Sequence, residues 1–328
     1  MILVLGGAGY IGSHAVRQLI QAGESVIVVD NLETGHKEAI HDKAKFYLVD
    51  IRDEAALREV FIQNKIEAVM HFCANSLVGE SVYKPIKYFD NNVGGAINVL
   101  KVMKEFNVDK IVFSSTAAVY GEPDQVPILE ASKTDPTNPY GASKLMMENM
   151  FKWADQAHGI RYVSLRYFNV AGADETGEIG EAHGVETHLI PLVLQVPLGQ
   201  REFITVFGDD YPTKDGTCIR DYIHVIDLID AHIKALNYLR NNGKSDVFNL
   251  GSGEGFSVKE IIEVARKVTG HPIPEKIDVR RAGDPSTLIA SSEKAKSVLN
   301  WNPKYTKVET IISDAWRFHL SHPNGYKA

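Results

Sequence analysis

Tyr140 and Lys144 stand four positions apart in Tyr140-Gly141-Ala142-Ser143-Lys144, a spacing that places a phenol and an ammonium on one face of a helix. A free phenol titrates near pH 10, and a neighbouring cation favours its phenolate, so such a pair is suited to taking a proton from an alcohol. The same spacing also occurs on ordinary helix surfaces. What sets this pair apart is the upstream run Ser114-Ser115-Thr116, which follows an apolar strand-like segment and offers a hydroxyl to bond the oxygen of a substrate. A second constellation, Gly6-Gly7-Ala8-Gly9-Tyr10-Ile11-Gly12, lies between an apolar run and a helical pattern. There Gly6 permits a tight turn, Gly9 lets a pyrophosphate approach the backbone, Gly12 allows close helix–strand packing, and the helix start offers free N–H donors. Asp30 follows Gly12 by 18 residues, where a carboxylate can bond both ribose hydroxyls and repel a 2′-phosphate, so NAD is expected over NADP. Asp50 ends the third expected strand and reads equally as an adenine contact or a solvated acid.

The elements that must hold these groups alternate. Ile2–Leu5, Ser25–Val29, Phe46–Val49, Ala68–Phe72, Lys110–Phe113 and Tyr162–Leu165 read as strands, and Gly12–Gln21, Glu54–Gln63, Asn92–Phe106 and Tyr140–His158 as helices. Ala15, Val16, Leu19 and Ile20 give the first helix one apolar face. Right-handed crossovers between such units imply an α/β fold with a doubly wound parallel, Rossmann-type sheet. After about Arg166 the pattern loosens into stretches such as Ala171–His183 and Gly208–Thr217, the mark of a smaller, loop-rich C-terminal substrate domain. The expected division is 1–168 for the dinucleotide unit, rejoined by parts of 220–253, and 169–328 mainly for substrate. The charged stretch Gly35–Lys45 reads as a solvated face.

Composition excludes several classes. The 328 residues are 44% hydrophobic and 23% charged, as in ordinary globular proteins. Lys and Arg total 35 against 42 acids, a net charge of −7 that offers no overall attraction for nucleic acid or an anionic membrane. No segment reads as a signal peptide or reaches the ~20 apolar residues of a membrane span. Cys73 and Cys218 are too few for a disulfide framework or a thiolate zinc site, so a cytoplasmic protein with no metal is expected.

The glycine turn, Ser114–Gly121, Asn138-Pro139-Tyr140-Gly141-Ala142-Ser143-Lys144, Arg166-Tyr167-Phe168-Asn169 and Arg220-Asp221-Tyr222-Ile223-His224-Val225 together resemble the extended short-chain dehydrogenase/reductase superfamily. Within it the chain is similar to the enzymes that epimerise UDP-hexoses at C4′. That likeness runs from Met1 to Trp316–Gly325 and includes Val78-Gly79-Glu80-Ser81 and Asp90-Asn91-Asn92-Val93. The resemblance implies an NAD that is bound and not consumed, a proton passing from the sugar 4′-hydroxyl to Tyr140, and a transient 4-keto sugar that turns over before the hydride returns. Thr116 stands where the family has Ser or Thr, and Lys144 would bond the nicotinamide ribose. Family contacts to the cofactor fall on Tyr10, Ile11, Asp30, Asn31, Asp50, Ile51, Phe72, Cys73, Ala74, Asn91 and Phe168, several through the backbone. Those to the UDP-sugar fall on Asn169, His188, Leu189, Val206, Phe207, Arg220, Arg281 and Asp284, the two arginines suiting a diphosphate. His188 is Asn in some relatives, and His224 reads as a packing residue.

Leu288, four positions after Asp284, falls at a sugar-lining position where relatives differ in bulk. Its intermediate size implies that N-acetylated UDP-hexoses fit as well as UDP-glucose and UDP-galactose. Leu5 replaces the Thr of many relatives and Ser76 the Lys of some bacterial ones, two changes that would weaken NAD retention. A homodimer through Asn92–Phe106 and Tyr140–His158 is also implied. Two other functions fit parts of the pattern. A nucleotide-sugar dehydratase or decarboxylase shares the first oxidation, but dehydratases place acids after the hydroxyl residue, where this chain has Ala117 and Ala118. A non-catalytic NAD sensor would use the glycines and Asp30 but has no need of Tyr140 and Lys144.

Overall fold

The computed structural model describes residues 1–281 and 284–326. Its first half is a βα alternation: Ile2–Leu5 (β1), Tyr10–Gln21 (α1), Val26–Asp30 (β2), Lys45–Leu48 (β3), Glu54–Gln63 (α2), Ala68–His71 (β4), Val78–Tyr83 (α3), Pro85–Tyr88 (α4), Gly95–Glu105 (α5), Lys110–Ser114 (β5), Pro139–His158 (α6) and Arg161–Tyr167 (β6). The second half contains Asn169–Ala171 (β7), Leu189–Leu194 (α7), Ile204–Phe207 (β8), Ile219–His224 (β9), Val225–Arg240 (α8), Asp246–Leu250 (β10), Gly255–Ser257 (β11), Val258–Thr269 (α9), Glu275–Asp278 (β12), Thr287–Leu288 (β13), Glu293–Leu299 (α10) and Val308–Ser321 (α11).

Seven of the described strands pair in parallel in the order β3-β2-β1-β4-β5-β6-β10. All four residues of β1 are fully buried, as a strand covered by helices on both faces requires. Its register sets Ile2 opposite both Val26 and Ala68. Strand order reverses at β1, where neighbouring loops leave in opposite directions and open a crevice at the strands' carboxyl ends. The segment 225–250 returns to this sheet: α8 packs on α1, β5 and β6, and β10 forms the edge. The C-terminal elements make a β11-β9-β13 sheet with β7 on β9, a β12–β8 pair, and their own core between α7, α9 and α11. The stretches 172–188 and 208–217 are loops, and most charged side chains of Gly35–Lys45 face outward, although Ala39 is buried and Ile40 packs on the core.

One expected helix is divided. Instead of running from Asn92, the chain forms a π-helical turn over Phe89–Gly94 before α5 begins. The buried Asn92 carboxamide explains the wider turn: its Nδ2 donates to the Asn75 carbonyl (3.1 Å) and Ser143 Oγ (2.9 Å), and its Oδ1 accepts from Asn75 N–H (2.8 Å). By contrast, α6 starts where its sequence dictates, with Asn138 accepting from Gly141 N–H at 2.9 Å, Pro139 in the first turn, and Gly159 closing the helix at φ 69°.

Three histidines are sealed against the seven-stranded sheet. Burial lowers His14 and His232 to about 4, in each case against a bond to a backbone carbonyl. Burial and the nearby Lys144 charge lower His71 to about 3. An unfolded histidine titrates near 6.5, so below that pH the unfolded chain binds protons that the folded chain refuses. Stability is therefore fully present above pH 6.5 and lost on acidification toward pH 4, by up to about 1.4 kcal/mol per pH unit for each group. Denaturant titrations at pH 7.5, 6 and 5 should show this fall, with a shallower slope for His14→Asn. Stability that is flat or rises over that window contradicts the assignment.

Candidate active site

The turn between β1 and α1 is shaped as a phosphate cradle. Gly6 has φ +80°, and a Cβ there would lie 2.6 Å from Cys73 N. At Gly12 a Cβ would lie 2.0 Å from the Gly6 carbonyl oxygen, whereas at Gly9 the nearest atom is 3.5 Å away. Among the described residues the N–H groups of Tyr10, Ile11 and Gly12 open α1 without backbone partners, because the first helical bond is Ser13 N–H to the Gly9 carbonyl. Asp30 ends β2 beside them, with Oδ2 accepting from Ala8 N–H (2.9 Å) and Oδ1 from Leu32 N–H (2.8 Å). Burial raises its carboxyl, opposed by those two bonds. The residues present thus fit a dinucleotide: bare N–H donors for the pyrophosphate and an anchored carboxylate for the ribose.

This contrast between glycines yields a prediction. Gly9→Ala should leave thermal unfolding nearly unchanged yet weaken NAD binding roughly tenfold or more, an overpacking cost of about 1–3 kcal/mol placed on the ligand. Gly12→Ala should destabilise the fold itself. Equal effects of the two on stability, or normal NAD binding by Gly9→Ala, would contradict the cradle.

Three connected hollows form one cleft. The first, against Asp30, Asn31, Asp50, Ile51, Cys73 and Asn91, shares Gly6, Gly9, Phe72 and Ala74 with a central cavity of about 450 Å³. That cavity includes Thr116, Tyr140, Phe168 and Leu288 in its wall. It meets the third hollow at Asn169, His188, Arg220 and Asp284, beyond which lie Leu189, Phe207 and Arg281. The Val206 side chain is buried in the C-terminal core, so the contact expected at this position falls to its backbone. Asp50 lines the first hollow but is held by Arg52 at 2.7 and 3.0 Å and by Asn31 Nδ2 at 2.9 Å, which keep its carboxyl well below the usual range. Tyr10 lines the central cavity and turns its hydroxyl to the Gly172 carbonyl (2.7 Å), whereas Leu5 packs in the core. Of the Arg281–Asp284 motif, Ala282 and Gly283 lie outside the described residues.

Of the three hydroxyls that leave β5, the fold presents one to the cavity. Ser114 donates to His232 Nε2 (2.8 Å), since His232 Nδ1–H is committed to the Leu228 carbonyl (2.8 Å). Ser115 donates to Glu148 Oε1 (2.5 Å). Thr116 caps the turn Ala117–Val119, where its Oγ1 accepts from Ala118 N–H (3.2 Å) and keeps its own hydrogen for another acceptor. Tyr140 faces it from the first turn of α6.

Lys144 lies one turn further along, buried, with Nζ donating to the Ser114 carbonyl at 2.8 Å and lying 6.0 Å from the centre of the Tyr140 ring. Here the electrostatics depart from expectation. Burial raises the Tyr140 phenol above its usual value, and only the Thr116 hydrogen bond opposes that rise. Lys144 is itself lowered to about 8 by burial, against the pull of Cys73 and Glu148. The ammonium is turned toward a carbonyl, so the protein's own groups keep Tyr140 a phenol.

Support for these side chains comes from residues the motifs did not single out for this role. Asn92 bonds Ser143 Oγ, which in turn donates to the Tyr140 carbonyl (2.7 Å) and so ties α6 to the π-helical turn. Behind Thr116, Glu148 takes two bonds from Arg166 (2.9 and 2.5 Å) and one from Ser115, and Arg166 donates on to Tyr120 Oη (2.9 Å), which donates to Asn249 (2.6 Å). No local spacing announces this chain of contacts. At the other end of the cleft Arg220 pairs with Asp284, and Arg281 lies over the Phe207 ring at 4.1 Å. Burial works against the His188 cation, but Glu181 at 2.5 Å prevails and raises it to about 9. His224 is a packing and capping residue: its Nδ1 accepts from Ile226 N–H (3.1 Å) and Nε2 faces Asp314 at 3.2 Å.

A dinucleotide cradle joined to a Tyr–Lys pair defines a class, and comparison with known proteins agrees. Residues 2–251 match the model of the NAD dependent epimerase/dehydratase family, and the chain belongs to that family. It is 60% identical over 325 residues to the UDP-glucose 4-epimerase of Halalkalibacterium halodurans, covering 99% of this chain and 97% of that one. A crystal structure of a UDP-glucose 4-epimerase, also 60% identical, superimposes with a TM-score of 0.98 over 100% of this chain and 99% of the other. The Bifidobacterium longum UDP-glucose 4-epimerase, crystallised in complex with NAD+ and UDP, is 41% identical with a TM-score of 0.93 over 99% of each chain.

Proposed function

We propose that this protein inverts C4′ of UDP-hexoses, interconverting UDP-glucose and UDP-galactose through a transient 4-keto sugar. The observation that carries the reading is the convergence of Thr116 and Tyr140 on one cavity continuous with both the glycine cradle and the arginine-containing hollow. When bound, NAD supplies the hydride acceptor and donor for C4′ and, in its oxidised form, a positive charge that favours the Tyr140 phenolate. Tyr140 takes and returns the 4′-hydroxyl proton, Thr116 bonds the same oxygen, and Lys144 holds the nicotinamide ribose. Asp30 and the start of α1 hold the adenosine ribose and pyrophosphate. Arg220 and Arg281 take the sugar diphosphate, with Asn169, His188, Leu189, Phe207 and Asp284 around the nucleotide. On this reading residues 1–168, rejoined by parts of 220–253, hold the cofactor, and 169–328 mainly hold the UDP-sugar.

The dehydratase alternative loses ground in the cavity. Ala117 and Ala118 line it where an acid would be needed, and its carboxylates among the described residues, Glu181 and Asp284, are engaged with His188 and Arg220. Incubation with UDP-galactose, with and without added NAD, tests the proposal: UDP-glucose should accumulate to an equilibrium mixture, whereas a dehydrated or decarboxylated product, or none even with NAD supplied, overturns it.

Leu288 sits in β13, partly buried against Val119, Tyr120 and Ile128, and lines the cavity. We read it as a size gate that admits a 2′-acetamido group, so wild type should also interconvert UDP-N-acetylglucosamine and UDP-N-acetylgalactosamine. Leu288→Tyr should lose at least about tenfold toward that pair, from an overpacking cost of about 1–3 kcal/mol, while keeping the unacetylated pair. Equal loss of both, or no acetylated turnover by wild type, removes the gate. A homodimer through α5 and α6 is consistent with exposed Ile97, Met146 and Trp153 on those helices. Two free cysteines fit a cytoplasmic setting, and among the described residues no helix is long and apolar enough to cross a membrane.

A further inference from the structure

Glu181, His183, Glu186 and His188 repeat within eight residues as Glu-x-His-x-x-Glu-x-His, on the loop that leads into α7. The loop curls so that one ligating atom from each of the four lies within 4.8 Å of the others. His183 Nδ1 is 3.2 Å from Glu186 Oε2 and 3.4 Å from Glu181 Oε1, and His188 Nδ1 is 3.6 Å from Glu186 Oε1. Four-coordinate zinc with bonds of about 2.0–2.1 Å sets neighbouring donor atoms roughly 3.3 Å apart. The two separations from His183 already match, and the 3.6 Å from His188 is to the other Glu186 oxygen, so His188 must shift slightly to share an ion with Oε2. The fourth, His188 Nδ1 to Glu181 Oε1 at 2.5 Å, is a direct hydrogen bond that an ion between them would replace.

Charge points the same way. The Glu181 and Glu186 side chains are only 4% and 7% exposed, and among the described residues neither has a Lys or Arg partner. Glu186 Oε1 accepts from the N–H groups of Thr187 (2.7 Å) and His188 (2.8 Å), which leaves Oε2 turned to His183. Two buried carboxylates facing only imidazoles are offset either by protons on the rings or by a divalent cation that displaces those protons and binds the neutral imidazoles. We propose that these four side chains form a divalent-cation site of the zinc class on the wall of the sugar-facing cavity. Two imidazoles and two carboxylates make a nitrogen–oxygen donor set that suits Zn²⁺ better than Mg²⁺ or Ca²⁺, which take oxygen ligands almost alone. The ion clasps the loop to itself, fixing His188 at the mouth of the third hollow.

The test reads metal binding and not turnover, so its outcome is independent of the epimerase reading. Full-length protein without an affinity tag is stripped with a chelator and titrated calorimetrically with ZnCl₂, and in parallel with CoCl₂ while the visible spectrum is recorded. Wild type should take up a single equivalent of Zn²⁺, and the cobalt form should show the intense d–d absorption of a four-coordinate ion. His183→Ala and Glu186→Gln should each weaken Zn²⁺ by about 100-fold or more, since even the outer partners of metal ligands are worth 10–100-fold. His183→Asp replaces one ligand by another and should retain binding, which separates ligand loss from misfolding. Absence of stoichiometric uptake, uptake unchanged in His183→Ala and Glu186→Gln, or preference for Mg²⁺ over Zn²⁺ would overturn the assignment.

Discussion

Tyr140→Phe is expected to lower kcat for UDP-galactose by about 10²–10⁴-fold while UDP-sugar and NAD bind within a few-fold of wild type. The substitution keeps the ring at the start of α6 and deletes only the oxygen that, on the proposed reading, exchanges a proton with the 4′-hydroxyl. Thr116 cannot take over, because a hydroxyl of ordinary acidity can hold that oxygen but is a poor base at neutral pH. The structure sharpens the expectation. Burial raises the phenol, and Lys144, which bonds the Ser114 carbonyl through one of its three N–H groups, does not offset that rise, so the phenolate is expected to form in the bound complex. The Tyr140 titration should therefore move down when oxidised NAD binds. Stopped-flow turnover with calorimetric binding separates the two effects, and near-normal kcat in Tyr140→Phe would remove Tyr140 from the chemistry.

The second large effect concerns stability. Glu148→Ala should cost about 3–5 kcal/mol, because it leaves Arg166 charged and buried without its partner. Both side chains are 6% exposed, and the pair also receives Ser115 and reaches Tyr120 and Asn249. Glu148→Gln keeps an acceptor for Ser115 and should lose less. Urea denaturation of the two variants measures this directly, and a loss under about 1 kcal/mol for Glu148→Ala would show that the pair is solvated in solution.

What sequence reasoning could reach here was local. The glycine cradle, Asp30 and the Tyr140–Lys144 spacing are each set within one turn, one strand end or one helix face, so residue type and interval suffice to find them. The fully apolar β1 and the one-sided apolar pattern of α1 likewise announce a sheet buried on both faces. Strand order is different in kind, because it depends on which β-strands meet across the sheet and leaves no mark in any single segment. The Glu148–Arg166 contact joins α6 to β6 across packed layers, and only the fold brings it behind Thr116. Asn92 lies in a motif visible in sequence, yet its widening of the helix depends on Asn75 and Ser143 from two other elements. Val206 shows the converse: alternation along β8 sends its side chain into the core, so a position matched by motif need not offer its side chain to the cleft. Lys144 was expected to lower the Tyr140 phenol by proximity along a helix, but spacing alone does not say where the ammonium points.

The central claim is that C4′ is inverted by removing a hydrogen and returning that same hydrogen to the other face of a keto sugar. UDP-galactose carrying deuterium at C4′, incubated with the purified protein in ordinary water, tests it most directly. The UDP-glucose formed should keep the deuterium at C4′, because on this account it leaves and returns as hydride, which does not exchange with water, and only the hydroxyl proton passes through Tyr140. Loss of the label to solvent during turnover would mean that C4′ is inverted by proton abstraction from carbon, and the account of this site would be wrong.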